Sequence, residues 1–174
     1  MNKDKHLNLV SVGQILVAPL GVYSKKIKSL DELKNGDTIA IPSDPTNLTR
    51  SLILLHNSGV ITLKDPKNLS STLRDIKKNP KKLKFKTMDA PLLPKTLDDV
   101  ACAVVNGNFA LQNGLSSKDA IAREDSRSPY ANVLVVRAGD ENKPDIIKLK
   151  KALQSPETKK FIEDTYKGEV IPVF

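Results

Sequence analysis

The apolar runs of this chain are short, and each change of period is punctuated by proline, glycine or a capping residue. LNLVSV and LVAPLGVYS read as extended segments, broken at Gly13 and interrupted by Pro19. SLDELKNG predicts a short helix, with Ser29 at the N-cap, Glu32 completing a capping box and Gly36 stopping it. DTIAIP reads as a buried strand. The next segment has Asp44 as N-cap and Pro45 at the first helical position, so a helix is expected through LTRSLILLHNSG to Gly59. LSSTLRDIKK predicts a second helix, stopping before Pro80; LKFKTMD predicts a strand and LPKTLDDV a short helix. ACAVV is a buried strand leading to a turn at Asn106 and Gly107, and NVLVVRAG, almost continuously apolar, predicts a central strand. KPDIIKLKKALQS and SPETKKFIEDTYKG close the chain as helices, the second opened by Ser155 and Pro156. Strands alternating with helices in this way define an α/β class with largely parallel sheets.

Composition narrows the function. The 174 residues suffice for a real core, as one domain or two lobes, and 39% hydrophobic with 28% charged residues is ordinary for a globular protein. Aromatic residues make up 4% with no tryptophan, which leaves no stacking platform for bases. The net charge of +8 comes mostly from lysine, densest in YSKKIKS and KKNPKKLKFK. Arginine, the residue of bidentate phosphate and base contacts, is scarce, so the charge reads as a solvated lysine surface and not a nucleic-acid reader. No run of eighteen apolar residues is long enough to span a membrane, and the start MNKDKHLNLVSVG has no apolar core of a signal peptide. Cys102, within VACAVVNG, reads as a small core residue. His6 and His56 have no ligand-spaced partners, and no nucleophile–base pair is legible. The reading is therefore non-enzymatic, without metal or cofactor.

The candidate chemistry lies in polar turns after two buried strands, PSDPTN and NGN. Open α/β sheets bind ligands beyond the carboxyl ends of their strands. If both strands share a sheet, Ser43, Arg50, Asn106 and Asn108 converge on one crevice. A helix start at Ser43–Thr46 favours an anion, and Arg50 adds a charge-assisted contact of about 1.5–3 kcal/mol when shielded from water. On residues alone two readings stay open: Arg50 also suits a surface pair with an acid one turn away, and Asn106 and Asn108 also suit turn chemistry.

Several longer words decide between them. GVYSKKIKSLDELKNGDTIAIPSDPTNLTR, LPKTLDDV, VVNGNFAL, EDSRSPYANVLVVR and the ending ALQSPETKKFIEDTYKGEVIPVF, in this order, resemble the NlpA-type methionine-binding lipoprotein family from Leu7 to Phe174. The resemblance implies a substrate-binding protein feeding a methionine ABC importer. It also implies a periplasmic-binding-protein-like type II fold: two α/β lobes joined by two crossovers, closing over L-methionine or a methionine dipeptide. On this chain it implies crossovers at Ser24–Ser29 and Asp125–Ala131, a first lobe of 1–27 plus 130–174, and a second lobe of 28–129. By motif, Arg50 in NLTR corresponds to the arginine at the ligand carboxylate, and Asn106 in VVNG and Asn132 in SPYAN to asparagines at its polar end. The resemblance implies that Tyr130 braces the hinge instead of touching ligand and that Tyr23 is a packing residue of its strand.

The chain departs from the family pattern where Ser43 replaces a common asparagine and Thr49 a common glycine, and the loop PKNLSSTL is short. Family members also carry a lipidated cysteine and a strand–helix–strand unit ahead of the matching segment. That unit walls the methionine side chain, whose burial is worth about 1.5–3 kcal/mol. The expectation is thus an incomplete first lobe, an exposed sheet edge and association or domain swapping through it. The family's place is the cell surface or periplasm, lipid-anchored, beside the ABC permease. The alternative reading is a shortened member that no longer binds solute and acts through protein–protein association.

Overall fold

The computed structural model describes residues 7–125 and 130–174. Its chain divides into two compact units, Pro19–Asp125 and a second formed by Met1–Ala18 with Ser126–Phe174.

The Pro19–Asp125 unit is built on a five-stranded sheet. Its strands are β2 (Leu20–Tyr23), β3 (Thr38–Pro42), β6 (Lys84–Met88), β7 (Cys102–Asn106) and β8 (Ala120–Arg123), in the order β6-β3-β7-β2-β8. The period-two alternation of strand side chains sends Ile39, Ile41, Cys102, Val104, Leu20 and Val22 to one face, and Ala40, Ala103, Val105 and Tyr23 to the other. Helix α1 (Pro45–Asn57) covers the first face with Leu52 and Leu55, both fully buried. Leu93 and Leu97 cover the second face. Each such side chain stabilises the unit by about 1.5–3 kcal/mol relative to exposure.

Helix α1 starts and stops as its sequence dictates. The Asp44 carboxylate accepts from the Asn47 amide at 3.0 Å, and Pro45 occupies the first turn. Past its end Gly59 takes φ +74, a conformation an L side chain resists. A two-stranded ribbon of β4 (Thr62–Leu63) and β5 (Ile76–Lys78) and a short helix α2 (Gly107–Gln112) complete the unit.

The other unit is an antiparallel sheet of β1 (Leu9–Val17), β9 (Asn132–Arg137) and β10 (Ile171–Pro172), ordered β10-β1-β9, with helices α3 (Pro144–Leu153) and α4 (Pro156–Tyr166). Three apolar residues are buried in it among those described, Val17, Val136 and Ile162.

Several expectations are corrected. Among the described residues parallel pairing is confined to β3 with β6 and β7; β2 runs antiparallel to β7 and β8, and β1 to β9 and β10. Strand β1 passes through Gly13, with bulges on either side of it. The helix expected over LSSTLRDIKK is one 3-10 turn, Leu73–Asp75, followed by β5. There Thr72 and Asp75 close a reciprocal cap, and Ser71 Oγ donates to Asn68 O, so the side chains take over the backbone groups a longer helix would use. SLDELKNG likewise forms one 3-10 turn, in which Ser29 caps Asp31. Of LPKTLDDV only Leu93–Thr96 is helical, as the end of a 3-10 segment, Ala90–Thr96, and NGN opens α2. Among the described residues NVLVVRAG lies at one end of its sheet, with Val133 and Val135 exposed.

The boundary between units also falls earlier than Ile27. Leu20–Tyr23 is inserted between β7 and β8, so the chain already belongs to the five-stranded sheet at Pro19. Ser24–Ser29 is consequently a turn inside that unit, in which Ser24 Oγ donates to Ala101 O and accepts from Lys26 N and Ile27 N. Within the second expected crossover, residues 126–129 lie outside the described residues.

Candidate functional site

Strand β7 ends on Asn106, which shares the α1-facing side with Cys102 and Val104 by strand alternation. On α1, Asn47 and Arg50 stand three residues apart and so on one face of the helix. The fold brings these groups together: Asn106 Nδ2 donates to Asn47 Oδ1 at 2.9 Å. Asn47 Nδ2 in turn donates to both Asp44 carboxylate oxygens, each at 3.1 Å.

Asn106 occupies the N-cap position of α2, where an asparagine side chain ordinarily accepts from the first turn. It makes no such bond, and its Oδ1 is buried with no hydrogen-bond partner among the described residues. A buried acceptor without a donor costs about 1–3 kcal/mol. That atom is therefore a standing demand for a donor.

Arg50 is 7% exposed. Its Nε donates to Glu124 Oε1 at 2.8 Å and to Oε2 at 3.0 Å, and Nη2 also donates to Oε2. Glu124 is further fixed by backbone: the Leu20 amide donates to its carboxylate and its own amide donates to Leu20 O, both at 3.0 Å. Leu20 is paired with Asn106 across β2 and β7. Two polar groups, Asp44–Asn47–Asn106 and Arg50–Glu124, thus lie at one end of the sheet, related through the pairing of Leu20 with Asn106. Glu124, one partner of Arg50, is an acid 74 residues away and well shielded, unlike the surface acid one turn away that spacing suggested.

Ser43 and Asn108 do not join it. Ser43 is exposed, with its Oγ donating to Asp89 Oδ1 and its amide to Met88 O, and Asn108 is exposed in the first turn of α2. Thr49 is buried and its Oγ1 donates to Ser71 O at 2.8 Å, tying the short 68–72 loop to α1. Asn132 opens β9 in the other unit, opposite Leu16, and Tyr130 in that unit is half-buried. Tyr23 is buried in β2, as a packing residue is.

Sequence reasoning missed Asn47 as a site residue and Glu124 altogether. The i, i+3 pairing with Arg50 was the available signal for Asn47; for Glu124 no local signal exists. His56 is an acceptor for the Leu63 amide, and His6 lies outside the described residues. Burial, with a smaller contribution from Asp37, pushes the Cys102 thiol up to about 12, so it stays protonated. Among the described residues no group of three His, Cys, Asp or Glu is placed to hold a metal, and no helix is long and apolar enough to cross a membrane.

Two compact α/β units, one built on a mixed sheet with a polar cluster at its carboxyl end, define the class: the fold is that of the two-lobed substrate-binding proteins. A nutrient-binding protein from Burkholderia cenocepacia, solved bound to methionine, superposes with a TM-score of 0.91 at 47% identity, covering 99% of this chain and 73% of that one. The NlpA lipoprotein family matches residues 1–174, and the chain belongs to it. Relatives include Outer membrane lipoprotein 3 of Mannheimia haemolytica, 47% identical over 97% of this chain, and the D-methionine-binding lipoprotein MetQ of Escherichia coli K12, 45% identical over 97%. The chain spans 65% and 64% of the length of these two relatives.

Proposed function

We propose that this chain is the solute-binding part of a receptor for methionine or a methionine-containing dipeptide, serving an ABC importer at the cell envelope. The observation that carries the reading is that a shielded arginine, Arg50, and a buried acceptor in search of a donor, Asn106 Oδ1, both belong to the end of one sheet. A zwitterion suits both, with an ammonium to donate to the amide oxygen and a carboxylate to accept from the guanidinium alongside Glu124. The methionine held by the Burkholderia relative and the names of the MetQ proteins support methionine as the side chain.

Arg50 and Asn106 belong to one unit and Asn132 to the other. The proposed mechanism is closure of the two units on the ligand, which requires that the ligand bind the closed state better than the open one. No catalytic step enters this role.

Calorimetric titration with L-methionine, D-methionine and glycyl-methionine tests the reading. Saturable heat with at least one of the three, weakened by Asn106→Ala, is expected. Absence of heat from a folded sample contradicts it and favours the alternative, a member that acts through protein association. Arg50→Ala alone is a poor probe because it leaves Glu124 buried without its cation; Arg50→Lys keeps the charge.

A further inference from the structure

We infer that Asp44 and Asn47 are positioning residues that fix the polarity of Asn106, and thereby make the site demand a ligand ammonium. The inference rests on the proposed solute-binding role and goes beyond it by assigning the discrimination to two residues that need not touch the ligand.

The two ends of an asparagine amide are interchangeable in shape, so what Asn106 presents depends on what holds its other end. Asp44 decides this. An ionised carboxylate accepts and cannot donate, so the Asn47 group at 3.1 Å from both Asp44 oxygens must be its NH2. Asn47 then offers its oxygen to Asn106, which must answer with its own NH2 at 2.9 Å. The remaining Asn106 atom is the buried, unpartnered oxygen. Each orientation dictates the next, and the relay ends in an acceptor. Asn106 also leaves the first turn of α2 uncapped, so its amide is held for the relay at the expense of a local bond.

A ligand with a cationic ammonium satisfies that oxygen, and one without it leaves the acceptor buried and unpaired. If Asn47 is removed, Asn106 is free to turn its NH2 outward, and the preference goes. Asp44→Ser retains an N-cap for α1 while removing the acceptor-only group that sets the relay.

The test measures, on the full chain, affinity for L-methionine and for its desamino analogue, which keeps the carboxylate and thioether chain without the ammonium. Asn47→Leu should weaken L-methionine about tenfold and move the analogue by no more than about twofold, so that the ratio between them collapses. Asp44→Ser should move the ratio in the same direction by a smaller factor, and it serves alone if Asn47→Leu fails to fold. A general loss of packing would weaken both ligands alike and leave the ratio unchanged. An unchanged ratio in the variants, with the parent chain binding L-methionine, overturns the inference and leaves the solute-binding role standing. A parent chain that binds neither ligand overturns both.

Discussion

Arg50 carries a guanidinium inside a unit where a bare charge is costly, and Glu124 is what makes that tolerable. Removing one member of a buried pair strands the other, at about 3–5 kcal/mol. Glu124→Ala should therefore lower thermal stability by that amount, while the double variant Arg50→Met with Glu124→Leu should regain most of it. A double variant as unstable as the single one would show that the backbone bonds at Leu20, and not the ion pair, hold the cluster. Cys102 yields a second prediction at this scale. With its thiol pushed up to about 12 by burial, it should resist alkylation in the folded protein at pH 8 and react freely once unfolded, where the ordinary thiol value of 9.0 returns. Rapid labelling of the native state would contradict its place in the core.

At the scale of elements, the sequence was most readable where one residue type has one physical use. Asp44, Pro45 and Gly59 mark the ends of α1 because a carboxylate cap, a missing amide and a positive φ each have few substitutes. Strands β3 and β7 were legible as short apolar runs ending in turn residues, and both are buried almost throughout. LSSTLRDIKK misled because Ser71, Thr72 and Asp75 bond locally and cut the helix to one turn, a competition that apolar spacing does not register. NVLVVRAG reads as central because continuous apolarity signals burial, whereas among the described residues β9 lies at one end of a three-stranded sheet with Val133 and Val135 exposed. Of the polar cluster, position alone left Arg50 and Asn106 open between a ligand role and surface or turn chemistry, and the NLTR and VVNG words singled them out. Glu124 was not legible, because its approach to Arg50 depends on β8 pairing with β2. Strand β2 also contains a close approach that only glycine permits: a Cβ on Gly21 would lie 2.7 Å from the Tyr23 ring. Gly21→Ala should cost about 1–3 kcal/mol by forcing that buried ring aside, measurable by denaturant titration. A neutral outcome would mean the ring moves freely.

The whole molecule is uneven. Both core clusters lie in Pro19–Asp125, and the other unit buries three apolar residues among those described. Protection against amide exchange follows buried apolar contact, so β3 and β7 should exchange slowest and β1 and β9 measurably faster. Equal protection in the two sheets would contradict this. The central claim, that the chain binds a zwitterion through its carboxylate at Arg50, is tested most directly by comparing L-methionine with L-methioninol, which lacks the carboxylate, in one calorimetric experiment. Saturable binding of L-methionine is expected, with a loss of at least about tenfold for the alcohol, the magnitude of one charge-assisted contact. Equal affinity for the two would contradict the role of Arg50, and no heat with either, from a folded sample, would contradict the solute-binding function itself.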